Sequence, residues 1–286
     1  MGINIGTASL LAKTNLIDFV KKENTKHGCN LLMIGRQTMS TKINDIEKLN
    51  KFNSNILFGS LENGKYAEDY LTQLGATEIK SLDVSDFEKA ELIHNLNTTV
   101  ENSLVSKYKS SFDLVLDYGS SEHVFQAAQS ISNSINLLRV GGYLNMVLPI
   151  CGWLEHGFYQ FSPNFFRALE GDYLKLIQMY IYDPYGAKII LFNSKNLPNL
   201  TFYEKLDGRF LCWTVYKKVS ELDEKDFLFN TQQGVYKRAW NKKEETVILK
   251  QSNFSIFKNK MLLKYTFLKK YFIWNKKITI DEVEKL

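Results

Sequence analysis

The chain has 286 residues, 44% apolar and 13% aromatic, with a net charge of +5. That is enough for one α/β domain plus an accessory piece. No apolar run approaches the roughly 20 residues of a membrane-spanning helix, so a membrane-embedded chain is excluded and a cytoplasmic protein is expected. The three cysteines, Cys29, Cys151 and Cys212, stand far apart without metal-type spacing, which excludes a disulfide framework or a cysteine metal site. The start, MGINIGTASLLAKT, has no charged region before its apolar stretch, so no signal peptide is expected.

In chain order, residues 1–30 read as a polar, helical leading segment. Asn30-Leu31-Leu32-Met33-Ile34 is a short apolar run ending at Gly35, the pattern of a buried parallel strand. Residues 40–65 are rich in Asn and Lys, with one helix at most. Tyr66 to Leu74 has helical spacing and stops at Gly75. Ile79 to Leu82 reads as a strand ending in Asp83. Ser85 with Glu88 three residues later is a capping box that predicts a helix start. Leu92 to Asn97 reads as a short strand and its polar end.

Phe112 to Pro163 is the most informative stretch. An apolar strand ends in Asp117-Tyr118-Gly119-Ser120, and Glu122 and His123 follow as a helix opens. Arg139-Val140-Gly141-Gly142 closes that helix, and a second apolar strand follows. This is a βαβ unit with a polar strand end. Ligand crevices of open α/β sheets lie outside the carboxyl ends of the strands, so Asp117, Glu122, His123 and the segment with His156 belong to that edge. Phe161-Ser162-Pro163-Asn164 opens another helix. Leu174–Tyr182, Ala187–Phe192 and Phe210–Tyr216 read as late strands, with Asp207-Gly208 as a hairpin turn before the last. Alternating strands and helices that end in a hairpin predict a mostly parallel sheet with an antiparallel edge. The core domain is expected over residues 1–220, with an insert at about 40–65.

Residues 221–286 are expected to form a basic, aromatic-rich helical extension. Between Lys237 and Lys277 there are twelve Lys and Arg against two acids. A solvated helix, a membrane-surface segment and a protein-docking segment all fit that pattern.

Taken together, Gly35, Asp83, His94-Asn95, Asp117 and Gly141-Gly142 follow one another at successive strand and helix ends. This order resembles the class I S-adenosylmethionine-dependent methyltransferases. Four pieces, IGRQ at 34–37, LGATEIKSLDVSDFEKAELIHNLN at 74–97, EHVF at 122–125 and HGFYQFSP at 156–163, look like a bacterial subgroup associated with capsule and surface-polysaccharide synthesis. The resemblance covers roughly residues 28–218. It implies a Rossmann-like, seven-stranded sheet with an antiparallel edge hairpin, and S-adenosylmethionine as cofactor. It departs in the first loop, which keeps only Gly35, and in the 48 residues separating Gly35 from Asp83.

The resemblance assigns Gly35, Arg36 and Gln37 to the first cofactor loop, Asp83 to the ribose hydroxyls and His94 and Asn95 to the adenine. Asp117 and Tyr118 would line the pocket of the methionine part, with capping of the next helix as the other reading of Asp117. Arg36 could pair with the cofactor's carboxylate. The acceptor side comprises Glu122, Phe158, Tyr159 and Gln160. Methyl transfer to a hydroxyl needs tight positioning and a base for the proton. Histidine titrates in the useful range, so His123 is the first candidate for that base and His156 the second. Glu122-His123-Val124 also resembles a metal-binding motif of a quinone-biosynthesis branch, but Gly119 stands where that motif has a further Glu, so no metal is expected.

The expected activity is methylation of a hydroxyl on a small polar acceptor, such as a sugar nucleotide or another surface-glycan precursor. One rival is a catalytically inactive binding subunit of the same fold. The other is a nucleic-acid methyltransferase, although the strand ending at Asp117 lacks the Asn/Asp-Pro-Pro-aromatic signature, so nucleic acid is not an expected partner. The oligomeric state is open.

Overall fold

The computed structural model describes residues 2–23, 28–41, 45–51, 53–54, 56–184, 188–191, 208–232 and 283–285. Its centre is a nine-stranded sheet. Five parallel strands come first: β2 (Asn30–Ile34), β4 (Glu78–Asp83), β5 (Leu92–Ile93), β6 (Phe112–Tyr118) and β7 (Leu138–Cys151). They lie in the order β5-β4-β2-β6-β7. In the order of these parallel strands that is 3-2-1-4-5, the doubly wound arrangement, and the chain reverses direction across the sheet between β2 and β6. The sheet continues through β10 (Phe210–Lys218), β8 (Leu174–Tyr182), β9 (Lys188–Leu191) and β11 (Val283–Lys285).

This extends and corrects the expected sheet. Seven strands follow the expected Rossmann-like plan, β9 lies within the late strand expected over Ala187–Phe192, and β11 is an addition. The antiparallel strand β10 lies inside the sheet, paired with β7 on one side and β8 on the other, rather than in an edge hairpin. Its side chains are buried from Phe210 to Tyr216, and that apolar run can be satisfied only with a neighbour on each side. Asp207 of the expected hairpin turn lies outside the described residues.

Alternation along the strands feeds two cores. Leu31, Met33, Leu114, Leu116 and Trp213 face helices α1 (Ile5–Thr14), α2 (Leu16–Glu23) and α4 (Glu68–Gln73). Leu32, Ile34, Val115, Leu144 and Cys212 face α5 (Ala127–Leu137), α6 (Pro163–Ala168) and α7 (Glu224–Asn230). A short helix, α3 (Ile46–Asn50), lies in the expected insert, and a two-residue strand β1 (Ile3–Asn4) pairs with β3 (Met39–Ser40).

Two local expectations fail for tertiary reasons. The leading segment is not polar surface: every residue of α1 from Gly6 to Ala12 is buried. A side chain at Gly6 would lie 2.8 Å from the Tyr182 ring, so the small residues of this helix permit close packing against the sheet. The capping box at Ser85 starts no helix. Phe87 is 90% exposed, and a capped turn without an apolar face to bury does not propagate. The chain instead turns back at Lys89, φ 58°.

Asp113, at the opposite end of β6 from the cleft, ties three strands together. Its carboxylate accepts from the Asn30 backbone N–H at 2.8 Å and from the Arg139 guanidinium. Asp113 is 2% exposed, whereas Arg139 is partly open to solvent. Asp113→Ala is therefore expected to lower the unfolding free energy by about 2 kcal/mol in a denaturant titration, without changing ligand affinity at the far sheet edge.

Of the C-terminal extension, the structure describes α7 and β11. Asp223 caps α7 by accepting from the Asp226 N–H at 3.1 Å, and Glu224 accepts from Thr99, Gln129 and Asn136. The basic stretch 237–277 lies outside the described residues, as does His27. Among the described residues, no helix is long and apolar enough to cross a membrane.

Candidate active site

A cleft of about 580 Å³ opens at the carboxyl ends of β2, β4 and β6, where the strand order reverses. Gly35 forms its floor. Its φ of +70° favours glycine, and its N–H donates to the Leu82 carbonyl at 2.8 Å. A Cβ at this position would sit 2.5 Å from Ser120 Oγ, whose hydroxyl donates to the Ile34 carbonyl. The backbone of the first loop is thus exposed to a ligand because no side chain fits there.

Asp83, Val84, Asn95, Leu96, Asn97, Gly119, Ser120, His123 and Val124 line the cleft, and the Gln126 backbone N–H donates to Asn97 Oδ1 at 2.9 Å, which ties the 95–97 segment to the chain just after His123. Arg36 and Gln37 also line the cleft, with different consequences. The Arg36 guanidinium is engaged by Glu68 Oε1 at 2.7 Å and the Glu88 carbonyl at 2.8 Å, and lies over the Tyr66 ring. It is anchored by the protein rather than held ready for a ligand carboxylate. Gln37 is 2% exposed and donates its amide N–H to the Ile34 and Gly35 carbonyls. Its Oε1 is buried with no hydrogen-bond partner.

Three expected cofactor contacts do not reach the cleft. His94 is buried, with Nε2 2.9 Å from the Thr98 carbonyl, so its ring shapes the 94–98 turn. Asp117 accepts from the N–H groups of Ser120 and Ser121 and from the Ser121 hydroxyl. It caps the elbow, the other reading of that residue. Burial pushes its carboxyl above the usual range, against hydrogen bonds that pull it down. Tyr118, one residue on, points to the opposite face. It donates to Asn145 Oδ1 and packs 5.9 Å from Trp213.

The acceptor-side residues converge. Ser121–His123 form a single helical turn ahead of α5. The loop after β7 returns over this turn, held by Phe158 N–H and Tyr159 N–H on the Glu122 carbonyl at 2.8 and 3.3 Å. Gln160 Oε1 accepts from the Trp153 N–H at 2.9 Å, and Tyr159 donates to the Phe125 carbonyl at 2.7 Å. These contacts make Gln160 and Tyr159 loop braces. Phe158 remains 63% exposed, edge-on to Phe125 with ring centroids 5.7 Å apart.

The His123 and His156 rings lie 5.1 Å apart, and His156 rests against Trp153 at 5.1 Å. His123 Nε2 is 3.9 Å from Glu122 Oε1. Glu122 is completely buried. Burial, and then the nearby Asp117 charge, push its carboxyl up to about 8. Burial lowers both histidines below the usual range, His123 also through His156. Of the lining residues, Asn97 and Ser120 carry the least sequence signal. Only the run Asn95-Leu96-Asn97 hinted at a longer polar strand end.

No family model matches the chain, and no curated protein matches it. Solved structures that superpose on it include a Bacillus halodurans protein provisionally named a methyltransferase (TM-score 0.40, 11% identity, 71% of this chain and 99% of that one). Another is the Burkholderia thailandensis 1,6-didemethyltoxoflavin N1-methyltransferase with S-adenosylhomocysteine bound (0.38, 10%, 74% and 79%). A third is the N-methyltransferase NodS of Bradyrhizobium japonicum, also with S-adenosylhomocysteine (0.35, 12%, 75% and 85%). None of the three names refers to surface-polysaccharide synthesis.

Proposed function

We propose that the chain binds S-adenosylmethionine in this cleft and methylates a hydroxyl of a small polar acceptor. One observation carries the reading: a cleft at the strand-order reversal is lined by Asp83, Asn95–Asn97, the bare backbone of Gly35 and His123. The residues present fit the cofactor. Asp83 would accept the ribose hydroxyls, the 95–97 segment would flank the adenine, and Gln37 Oε1 would accept from the amino group. When bound, the cofactor supplies a methyl carbon on a sulfonium leaving group. In this reading His123 marks the acceptor end of the cleft, where the acceptor oxygen must be positioned and its proton removed. Exposed Phe125 and Phe158 beside that end give an apolar platform suited to a sugar ring, which favours a sugar or sugar-nucleotide acceptor.

Calorimetry with S-adenosylhomocysteine tests the binding half. Asp83→Ala is expected to weaken affinity by about 10- to 100-fold, the range for a charged hydrogen bond. No binding by the unaltered chain up to millimolar ligand would overturn the proposal in favour of an inactive subunit. An acceptor screen with nucleotide sugars then tests the chemistry.

A further inference from the structure

We propose that Glu122, His123 and His156 bind one divalent transition-metal ion at the acceptor end of the cleft. The three side chains place their ligand atoms within 4.8 Å of one another. Glu122 is fully buried, yet neither carboxylate oxygen has a hydrogen-bond partner, and His156 Nε2 is likewise buried without one. Buried polar groups are otherwise satisfied in folded proteins, because leaving them bare is unfavourable by several kcal/mol. A cation shared by the three side chains, whose ligand atoms lie within 4.8 Å of one another, would supply the partner that Glu122 and His156 lack.

The surroundings keep the cluster in place. The loop carrying His156 is fastened to the Glu122 carbonyl by two N–H groups, and the Trp153 ring supports His156 from behind. Gly157 passes directly over the cluster. A Cβ there would lie 2.9 Å from the Glu122 carbonyl oxygen, 3.1 Å from its Cγ and 3.2 Å from His123 Nδ1. Glycine at 157 leaves this space free, and His123 Nε2 lies 3.9 Å from Glu122 Oε1, which makes it the nitrogen proposed to ligate.

Two imidazoles and one carboxylate suit zinc-type ions rather than magnesium or calcium, which prefer all-oxygen sites. Three protein ligands leave a coordination position open, and His123 carries the site to the cleft wall. The ion's role rests on the methyl-transfer reading, whereas its binding does not. An acceptor hydroxyl in the open position has its pKa lowered by the ion, and its proton passes to water. His123 is then a ligand rather than a free base.

The test uses the full chain, stripped with a chelator and titrated with Zn2+ by calorimetry and with Co2+ by visible absorption. One ion per chain is expected, undisturbed by excess Mg2+. Glu122→Gln and His156→Ala should each weaken binding by at least about 100-fold, the upper end of what losing a merely supporting partner does. His94→Gln should keep it. Glu122→Gln preserves shape, and His156 lies in a surface loop, so loss in both cannot be laid to misfolding. No binding by the unaltered chain, or binding undiminished in both variants, overturns the proposal. S-adenosylhomocysteine titrated in parallel separates the readings. Cofactor binding without an ion removes this inference alone, and an ion without cofactor removes the proposed activity alone.

Discussion

Replacing His123 with alanine is expected to lower methyl-transfer turnover by about 100- to 10,000-fold, the range for losing a positioned proton-handling group, while affinity for S-adenosylhomocysteine stays nearly unchanged. The two effects are expected to separate because the proposed cofactor contacts are Asp83, the 95–97 segment and Gln37, and His123 is not among them. Its side chain is 42% exposed, so truncation opens no core cavity. His156 distinguishes the two ways His123 can act. If the three-residue cluster holds an ion, His156→Ala falls together with His123→Ala, and neither recovers with added Zn2+. If His123 is a free base, His156→Ala retains most of its turnover. Full turnover in His123→Ala, with acceptor and cofactor saturating, would remove the acceptor-side assignment altogether.

Gly35→Ala is expected to abolish measurable S-adenosylhomocysteine binding and to destabilise the fold by about 1–3 kcal/mol, the range for a non-glycine residue forced into a strained backbone conformation. Two effects add. The φ of +70° disfavours any side chain, and the new methyl would stand 2.5 Å from Ser120 Oγ. Moving Ser120 breaks its bond to the Ile34 carbonyl, which joins the ends of β2 and β6. Calorimetry and a denaturant titration on Gly35→Ala, Ser120→Ala and the double variant apportion the two. The double variant should recover part of the stability, since the clash is gone and the backbone strain stays. Full cofactor affinity in Gly35→Ala would show that the ligand does not approach this loop.

Much of the fold was legible because the strands are written locally. Leu31–Ile34 is an apolar run closed by glycine, Ile79–Leu82 and Phe112–Leu116 are short strand-like segments closed by aspartate, and their carboxyl ends do meet in one cleft. Side-chain destinations were less legible. Asp117 and Tyr118 are at the right strand end, but one turns down to cap the elbow and the other turns to the opposite core. His94 is near the cofactor edge in the chain, yet its ring is held by the Thr98 carbonyl four residues on. Arg36 was free to reach a ligand in the sequence and is claimed by Glu68, 32 residues away.

By itself, then, the sequence determined the α/β class, the succession of parallel strands and the residues available at their ends. Hydrophobic periodicity and glycine placement act over a few residues and need no partner to be read. Only the tertiary structure decided that β10 enters the sheet between β7 and β8, that α1 is buried, and that His156 comes to rest against His123 and a bare, buried Glu122. Those outcomes depend on which surfaces meet when long loops close. A carboxylate becomes chemically unusual only when the groups packed around it remove water and offer no hydrogen bond in return.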